Sequence, residues 1–204
     1  MAEPDVNKRV AIIGAGLIGC SWAALFLKHG WDVRIWDHNP DIYETVSAKV
    51  MRALEDLDNL HETQIETGSF ALCDDLDIAI SDVLYVQENV SENLNVKHAL
   101  FTELDKRVAP TVPIASSTTA YTWSDLFSGC LHKDRFLIAH PFNPPHLIPL
   151  VELSCHCDPI LAQATEIYEG LGRVVISLKK EVPGHIANRL AAALYLTQMK
   201  ALSL

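Results

Sequence analysis

Two groups of residues in this sequence have the types and spacing that chemistry needs. The first is Gly14-Ala15-Gly16-Leu17-Ile18-Gly19, a G-x-G-x-x-G turn that follows the β-branched run Arg9 to Ile13 and precedes a helical period of apolar residues at Leu17, Cys20, Ala24 and Leu27. Gly14 permits a sharp turn, Gly16 lets backbone approach a pyrophosphate, and Gly19 lets helix and strand pack closely. The turn, with Leu17 and Ile18 opening the helix, would offer free N–H groups to an anion. Asp37 ends the next strand pattern and can accept hydrogen bonds from ribose hydroxyls. Its charge would repel a 2′-phosphate, so NAD is expected over NADP; nearby Arg34 is the one feature that points the other way. A glycine turn used only for packing is the alternative, and it is disfavoured by having strand, helix and acid all in place.

The second group is His140-Pro141-Phe142-Asn143-Pro144-Pro145, directly after a strand pattern, with Glu152 in the apolar run Leu150-Val151-Glu152-Leu153. A carboxylate among such neighbours needs a partner, because burying a lone charge is costly. His140 is the natural one. A carboxylate that orients an imidazole and stabilises its protonated form makes that histidine a competent base for a hydroxyl proton. A His–Glu pair that merely holds a strand end is the alternative; the prolines at a strand's carboxyl end favour a site, since open α/β sheets bind ligands there. Ser116-Ser117-Thr118-Thr119 follows another strand pattern at the same end. Its hydroxyls suit either a substrate oxygen or the capping of a helix near Trp123 to Leu126, and the residues alone leave both open.

The elements that must position these groups alternate. Strand patterns at Arg9 to Ile13, Val33 to Asp37, Val83 to Gln87, Val112 to Ala115, Phe136 to Ala139, Pro149 to Leu153 and Arg173 to Ile176 are separated by helical ones at Leu17 to His29, Asp41 to Glu66, Ser91 to Arg107 and Pro159 to Gly170. That alternation predicts an α/β fold, a doubly wound, mostly parallel sheet covered on both faces. After Pro183-Gly184, the residues Ile186, Leu190, Ala193 and Leu194 share one helical face that nothing further along the chain covers. Residues 7–182 are expected to form a dinucleotide-binding domain and 183–204 to begin a helical C-terminal domain that is incomplete here.

The net charge of −10 over 204 residues argues against nucleic-acid and anionic-membrane partners, which attract basic patches. Residues 1–8 lack the apolar core of a secretory signal, and no apolar run approaches the roughly 20 residues that span a bilayer. A cytoplasmic protein is expected. The five cysteines are scattered, without a disulfide-like framework. Cys155-His156-Cys157 does not close a tetrahedral site and no second ligand pair follows, so no metal is expected. The histidines other than His140 show no metal-binding spacing and are mostly expected at the surface; the tryptophans are expected in the core or an interface.

The segments GAGLIGCSWA, RIWDHNP, VQENVSENLNVK, ASSTTAY, AHPFNPPHLIPLVEL and VPGHIANRL together resemble the 3-hydroxyacyl-CoA dehydrogenase superfamily, and within it the branch of lambda-crystallin, L-gulonate 3-dehydrogenase and L-carnitine dehydrogenase. The resemblance implies that His140 is the catalytic base, Glu152 its orienting partner and Asn188 a polar contact near the reacting groups. It implies that Glu92, Lys97 and Asn143 contact the nicotinamide half of NAD, and that Thr119 stands where the family has a serine meeting substrate and cofactor. Ala53 and Leu60 fall where the fatty-acid enzymes use serine and lysine for coenzyme A, which favours a free hydroxy acid over a thioester. The implied activity is oxidation of the 3-hydroxyl of an L-gulonate-, L-carnitine- or 3-hydroxyacyl-CoA-like substrate to the 3-keto product, by a longer chain that forms a homodimer. Two non-catalytic readings stand beside it: an NAD-binding protein with little turnover, and a crystallin-like structural protein.

Overall fold

A computed structural model describes residues 8–60 and 67–202. The first seven residues, the expected end of the second helix at 61–66 with His61, and the last two residues lie outside them. The strands are β1 (Arg9–Ile13), β2 (Asp32–Trp36), β3 (Phe70–Leu72), β4 (Tyr85–Glu88), β5 (Ile114–Ser116), β6 (Phe136–Pro141), β7 (Leu150–Ser154) and β8 (Val174–Ser177). They form one sheet in the order β3-β2-β1-β4-β5-β6-β7-β8. The helices are α1 (Leu17–Lys28), α2 (Tyr43–Leu60), α3 (Leu76–Ile80), α4 (Leu94–Arg107), α5 (Trp123–Phe127), α6 (Asp158–Gly170) and α7 (Ala187–Leu202).

The period of two in β1 divides the core. Val10 and Ile12 join Trp22, Phe26, Val46 and Tyr168 on the face covered by α1, α2 and α6. Ala11 and Ile13 join Phe101, Leu104, Phe127 and Phe136 on the face covered by α3, α4 and α5. A strand buried on both sides needs apolar residues at every position, which explains the unbroken Val-Ala-Ile-Ile of β1. Because the chain reverses direction across the sheet between β1 and β4, the carboxyl ends of these parallel strands open into one crevice.

Strict strand–helix alternation fails at one place. β6 passes to β7 through the loop 142–149, without a helix, and the two strands run antiparallel with His140 opposite Glu152. An antiparallel neighbour needs only a short connection, whereas a parallel one needs a crossover. β8 then returns parallel to β7 through α6. The sequence reading also misses β3 and α3, which are too short to show a period, and extends the second helix too early. A 3-10 turn at Pro40–Ile42, capped by the Asn39 side chain, precedes α2.

Helix α1 differs from the expected half-buried stripe. Gly19 through Lys28 are all buried, whereas Leu17, expected on the apolar face, is 72% exposed at the helix start. Close packing at the glycine turn explains the geometry there. A Cβ built on Gly19 would sit 1.9 Å from the Gly14 carbonyl oxygen, and one on Gly14, whose φ is +94°, would meet Asn89 backbone at 2.7 Å. Gly16 differs: a Cβ there meets nothing within 4 Å.

The glycines therefore separate two effects. Gly19→Ala is expected to lower unfolding free energy by about 2 kcal/mol or more through overpacking. Gly16→Ala should cost under about 1 kcal/mol as an N-cap change while weakening NAD binding about tenfold or more by filling the space a ligand needs. Denaturant unfolding and NAD titration of both variants check this; a Gly16→Ala protein that binds NAD normally would contradict it.

Candidate active site

One half of the crevice is built at the ends of β1 and β2. The Gly14 N–H donates to the Trp36 carbonyl at 2.8 Å, tying the turn to the neighbouring strand. Asp37 accepts from the Ala15 N–H through Oδ2 at 2.8 Å and from the Asn39 N–H through Oδ1 at 2.9 Å, so its carboxylate stands beside the turn. The first turn of α1 has neither a side-chain cap nor an acidic residue, leaving its N–H groups for an anion. Arg34 faces elsewhere: its guanidinium donates to the carbonyls of Ile78 and Ser81 at 2.6 and 2.7 Å. The feature that pointed toward a 2′-phosphate is thus occupied.

The ends of β4 and β5 meet in a buried ionic knot that no sequence pattern indicated. Lys97 is 1% exposed, and its ammonium lies 2.7 Å from Glu88 and 3.6 Å from Glu92. Glu88 also accepts from the Val90 N–H and the Ser116 hydroxyl. Two buried opposite charges with every oxygen bonded make a tolerable arrangement, and a rigid one. Glu92 receives the Thr118 hydroxyl at 2.6 Å and the N–H groups of Thr119 and Ala120 at 2.9 and 3.0 Å. Burial opposes its ionisation, yet those three donors and Lys97 outweigh it and hold the carboxyl below its usual range.

His140 closes the crevice from β6. Its Nδ1 lies 2.8 Å from Glu152 Oε2, and both side chains are buried. A carboxylate accepts, so Nδ1 carries the hydrogen and Nε2 keeps its lone pair. The other oxygen of Glu152 accepts from the N–H groups of Ile186 and Ala187 at 2.9 and 3.1 Å, capping the start of α7. The segment entering α7 fastens itself to the β5 loop as well. The Asn188 side-chain amide donates to the Thr119 carbonyl at 3.1 Å, and the Gly184 N–H to that of Ala120 at 3.3 Å. A cavity of about 410 Å3 results, lined by Ile18, Ser117, Thr119, His140, Asn143 and Asn188 among others.

The structure therefore gathers the two groups singled out in the sequence at one crevice. Ile18 from the glycine turn and His140, Thr119, Asn143 and Asn188 share a cavity; Glu152 stands behind His140, and Lys97 behind Glu92. Ser116 and Ser117 serve the scaffold: the Ser117 hydroxyl accepts from Trp22 and Gln87 and donates to Asn89. The capping role falls to Thr122, which forms a reciprocal box with Asp125 at α5.

Two of the histidines that the sequence reading expected mostly at the surface are buried. His185 is 2% exposed beside His140, and His146 is 8% exposed between Ser21 and Asp56. Each pairs with residues far away in sequence, which local spacing does not reveal. His156 stacks on Trp123 with ring centres 4.1 Å apart and pairs with Glu181. A second cavity of about 500 Å3 lies between α1, α2 and the loop after β6, meeting the first at Asn143; Leu17 and Ala53 line it together with Lys49, Arg52 and Asp56.

Residues 9–182 match the model of the family described as 3-hydroxyacyl-CoA dehydrogenase, NAD binding domain. An L-carnitine dehydrogenase of Streptomyces coelicolor is 39% identical over 96% of this chain and 63% of its own length. The lambda-crystallin homolog of Mus musculus is 35% identical over 95% of this chain and 63% of its own. The chain thus spans about 63% of the length of these curated relatives. A solved 5-formyl-3-hydroxy-2-methylpyridine 4-carboxylic acid 5-dehydrogenase, described as an NAD+-dependent dismutase, superimposes with a TM-score of 0.90 at 27% identity, covering 96% of this chain and 65% of that one. The glycine turn, Asp37 and the doubly wound sheet fit that match, and the chain belongs to the 3-hydroxyacyl-CoA dehydrogenase family through its NAD-binding domain.

Proposed function

We propose that this chain is the NAD-binding, base-supplying part of a dehydrogenase that oxidises the 3-hydroxyl of a small hydroxy acid to the 3-keto acid. The observation that carries the reading is the His140–Glu152 hydrogen bond at 2.8 Å, set in a cavity that the first turn of α1 also lines. In this reading Gly14, Gly16, Gly19 and the Leu17–Ile18 backbone hold the pyrophosphate, Asp37 the adenosine ribose, and Glu92 and Asn143 the nicotinamide half. Lys97, fully buried, acts there by fixing Glu92 and the end of β4. Bound NAD supplies the acceptor for the hydrogen leaving the carbinol carbon, and that chemistry belongs to the cofactor.

What the chain's own residues do is move and hold a proton. His140 Nε2, bare because Nδ1 bonds Glu152, takes the substrate hydroxyl proton. Glu152 then faces the imidazolium at hydrogen-bond distance, which favours the charged ring just when it forms. Thr119 and Asn188 place polar groups at the cavity wall for the substrate oxygens. Ala53, on the wall of the second cavity, offers no hydroxyl where the resemblance places a serine for coenzyme A, and this supports a free hydroxy acid over a coenzyme A ester. The names of the L-carnitine dehydrogenase relatives place a short hydroxy acid among the substrates to try first.

Residues 183–204 open a further helical unit in this reading. Leu190, Leu194, Tyr195, Leu196 and Met199 of α7 are each about half or more exposed, an apolar surface that a second unit or a homodimer contact would bury. No described helix is long and apolar enough to cross a membrane. The same reading includes a cytoplasmic location and a homodimeric assembly.

His140→Ala should leave the Kd for NAD within about twofold while turnover with L-carnitine, L-gulonate or a 3-hydroxyacyl-CoA falls about 10²- to 10⁴-fold; retained turnover would remove the base from His140. Glu92→Gln tests the turn that carries Thr119. A carboxylate whose folded pKa is depressed stabilises the fold above its ordinary value of 4.5 and loses that effect as pH falls through the folded value. Wild type should therefore be more stable than Glu92→Gln near pH 7, with the gap closing below about pH 4.5. A gap independent of pH would contradict the ionised role.

A further inference from the structure

His185 sits inside the candidate site, yet nothing described so far gives it a task. Its ring centre is 4.8 Å from that of His140, tilted by 36°, and the residue is 2% exposed. Nε2 lies 3.2 Å from the Thr118 carbonyl. A carbonyl only accepts, so Nε2 carries the hydrogen. The backbone places the ring deliberately: Gly184 and His185 have φ of +75° and +52°, two left-handed residues in succession. For a residue with a Cβ that conformation is strained, and it persists where surroundings hold it. Here they do. The Gly184 N–H is held by Ala120, and the N–H groups of Ile186 and Ala187 by Glu152.

We propose that His185 is a positioning residue for the His140 base: its neutral ring backs the His140 imidazole and, through the Thr118 carbonyl, ties that imidazole to the turn carrying Thr119. The proposal rests on the reading of His140 as the base. The titratable groups facing His185 are His140 on β6, Glu152 on β7 and Glu92 in the loop before α4. Burial and then His140 disfavour its protonation more than the Thr118 hydrogen bond and the two carboxylates favour it, so its pKa lies below the ordinary histidine range. Of the two adjacent imidazoles, His140 is the one that faces a carboxylate at hydrogen-bond distance.

Two variants separate the contributions. His185→Gln keeps a neutral N–H for the Thr118 carbonyl; His185→Phe keeps a ring and loses the donor. Their kcat, KM and Kd for NAD are measured beside the imidazole NMR spectra of wild type and variants. Wild-type His185 should be an Nε2–H tautomer that titrates below the ordinary histidine value of 6.5, and His140 should show a downfield Nδ1–H signal. His185→Gln should keep that signal and a kcat within about threefold, whereas His185→Phe should displace it and lose about 10- to 100-fold in kcat with unchanged NAD affinity, as expected of a misplaced base.

A His185 that titrates above 6.5 or carries its hydrogen on Nδ1, or a His185→Phe protein with wild-type kcat and an undisturbed His140 signal, would overturn the proposal. If His185→Phe does not fold, His185→Gln decides alone: a loss beyond tenfold or a displaced His140 signal would contradict it. Absence of turnover in wild type would overturn the dehydrogenase reading instead, and the His140 signal would still decide the role of His185.

Discussion

Glu152 has two carboxylate oxygens and gives one to each side of the crevice. Oε2 holds His140 Nδ1 across the antiparallel β6–β7 pair, and Oε1 holds the first N–H groups of α7. A buried carboxylate is tolerated only when its lone pairs are used, and here both oxygens are. The partners also suit the charge: a helix start and a basic imidazole each favour an anion. Most of the other geometry follows from that sharing. It fixes the tautomer of His140, sets where α7 leaves the sheet, and thereby places His185 and Asn188 over the Thr118–Ala120 turn.

The antiparallel pairing of β7 is what allows it. Had β7 followed β6 through a helical crossover, residue 152 would not stand opposite residue 140. The parallel strands β1, β4 and β5 deliver the rest at their carboxyl ends: the glycine turn, the Glu88–Lys97–Glu92 knot and the threonine turn. The knot and the Glu152 cap perform the same service on two walls of the cavity, using ionised groups to fasten backbone that has no regular structure.

Much of this was legible in the sequence because it is local. G-x-G-x-x-G after an unbroken apolar run, with an acid closing the next strand, constrains strand, turn and helix within one βαβ unit. His140 and Glu152 were legible for a different reason, a carboxylate in an apolar strand that needed a partner. What was not legible depends on contacts distant in sequence. Glu88 meets Ser116, His185 meets Thr118, and His146 meets Ser21 and Asp56; no spacing encodes these pairs. Leu17 misled because helical periodicity reports an apolar face without saying that its first turn stands at the open crevice, where the side chain stays exposed. β3 and α3, of three and five residues, are held by neighbours more than by their own pattern.

The most direct measurement is a crystal structure of this chain grown with NAD. The pyrophosphate should lie over Gly14 to Gly19 against the first turn of α1, with the nicotinamide in the cavity between Ile18, Thr119, Asn188 and His140, leaving room for a substrate carbon beside His140 Nε2. NAD bound elsewhere, or a nicotinamide turned away from His140, would contradict the joining of cofactor and base in one site.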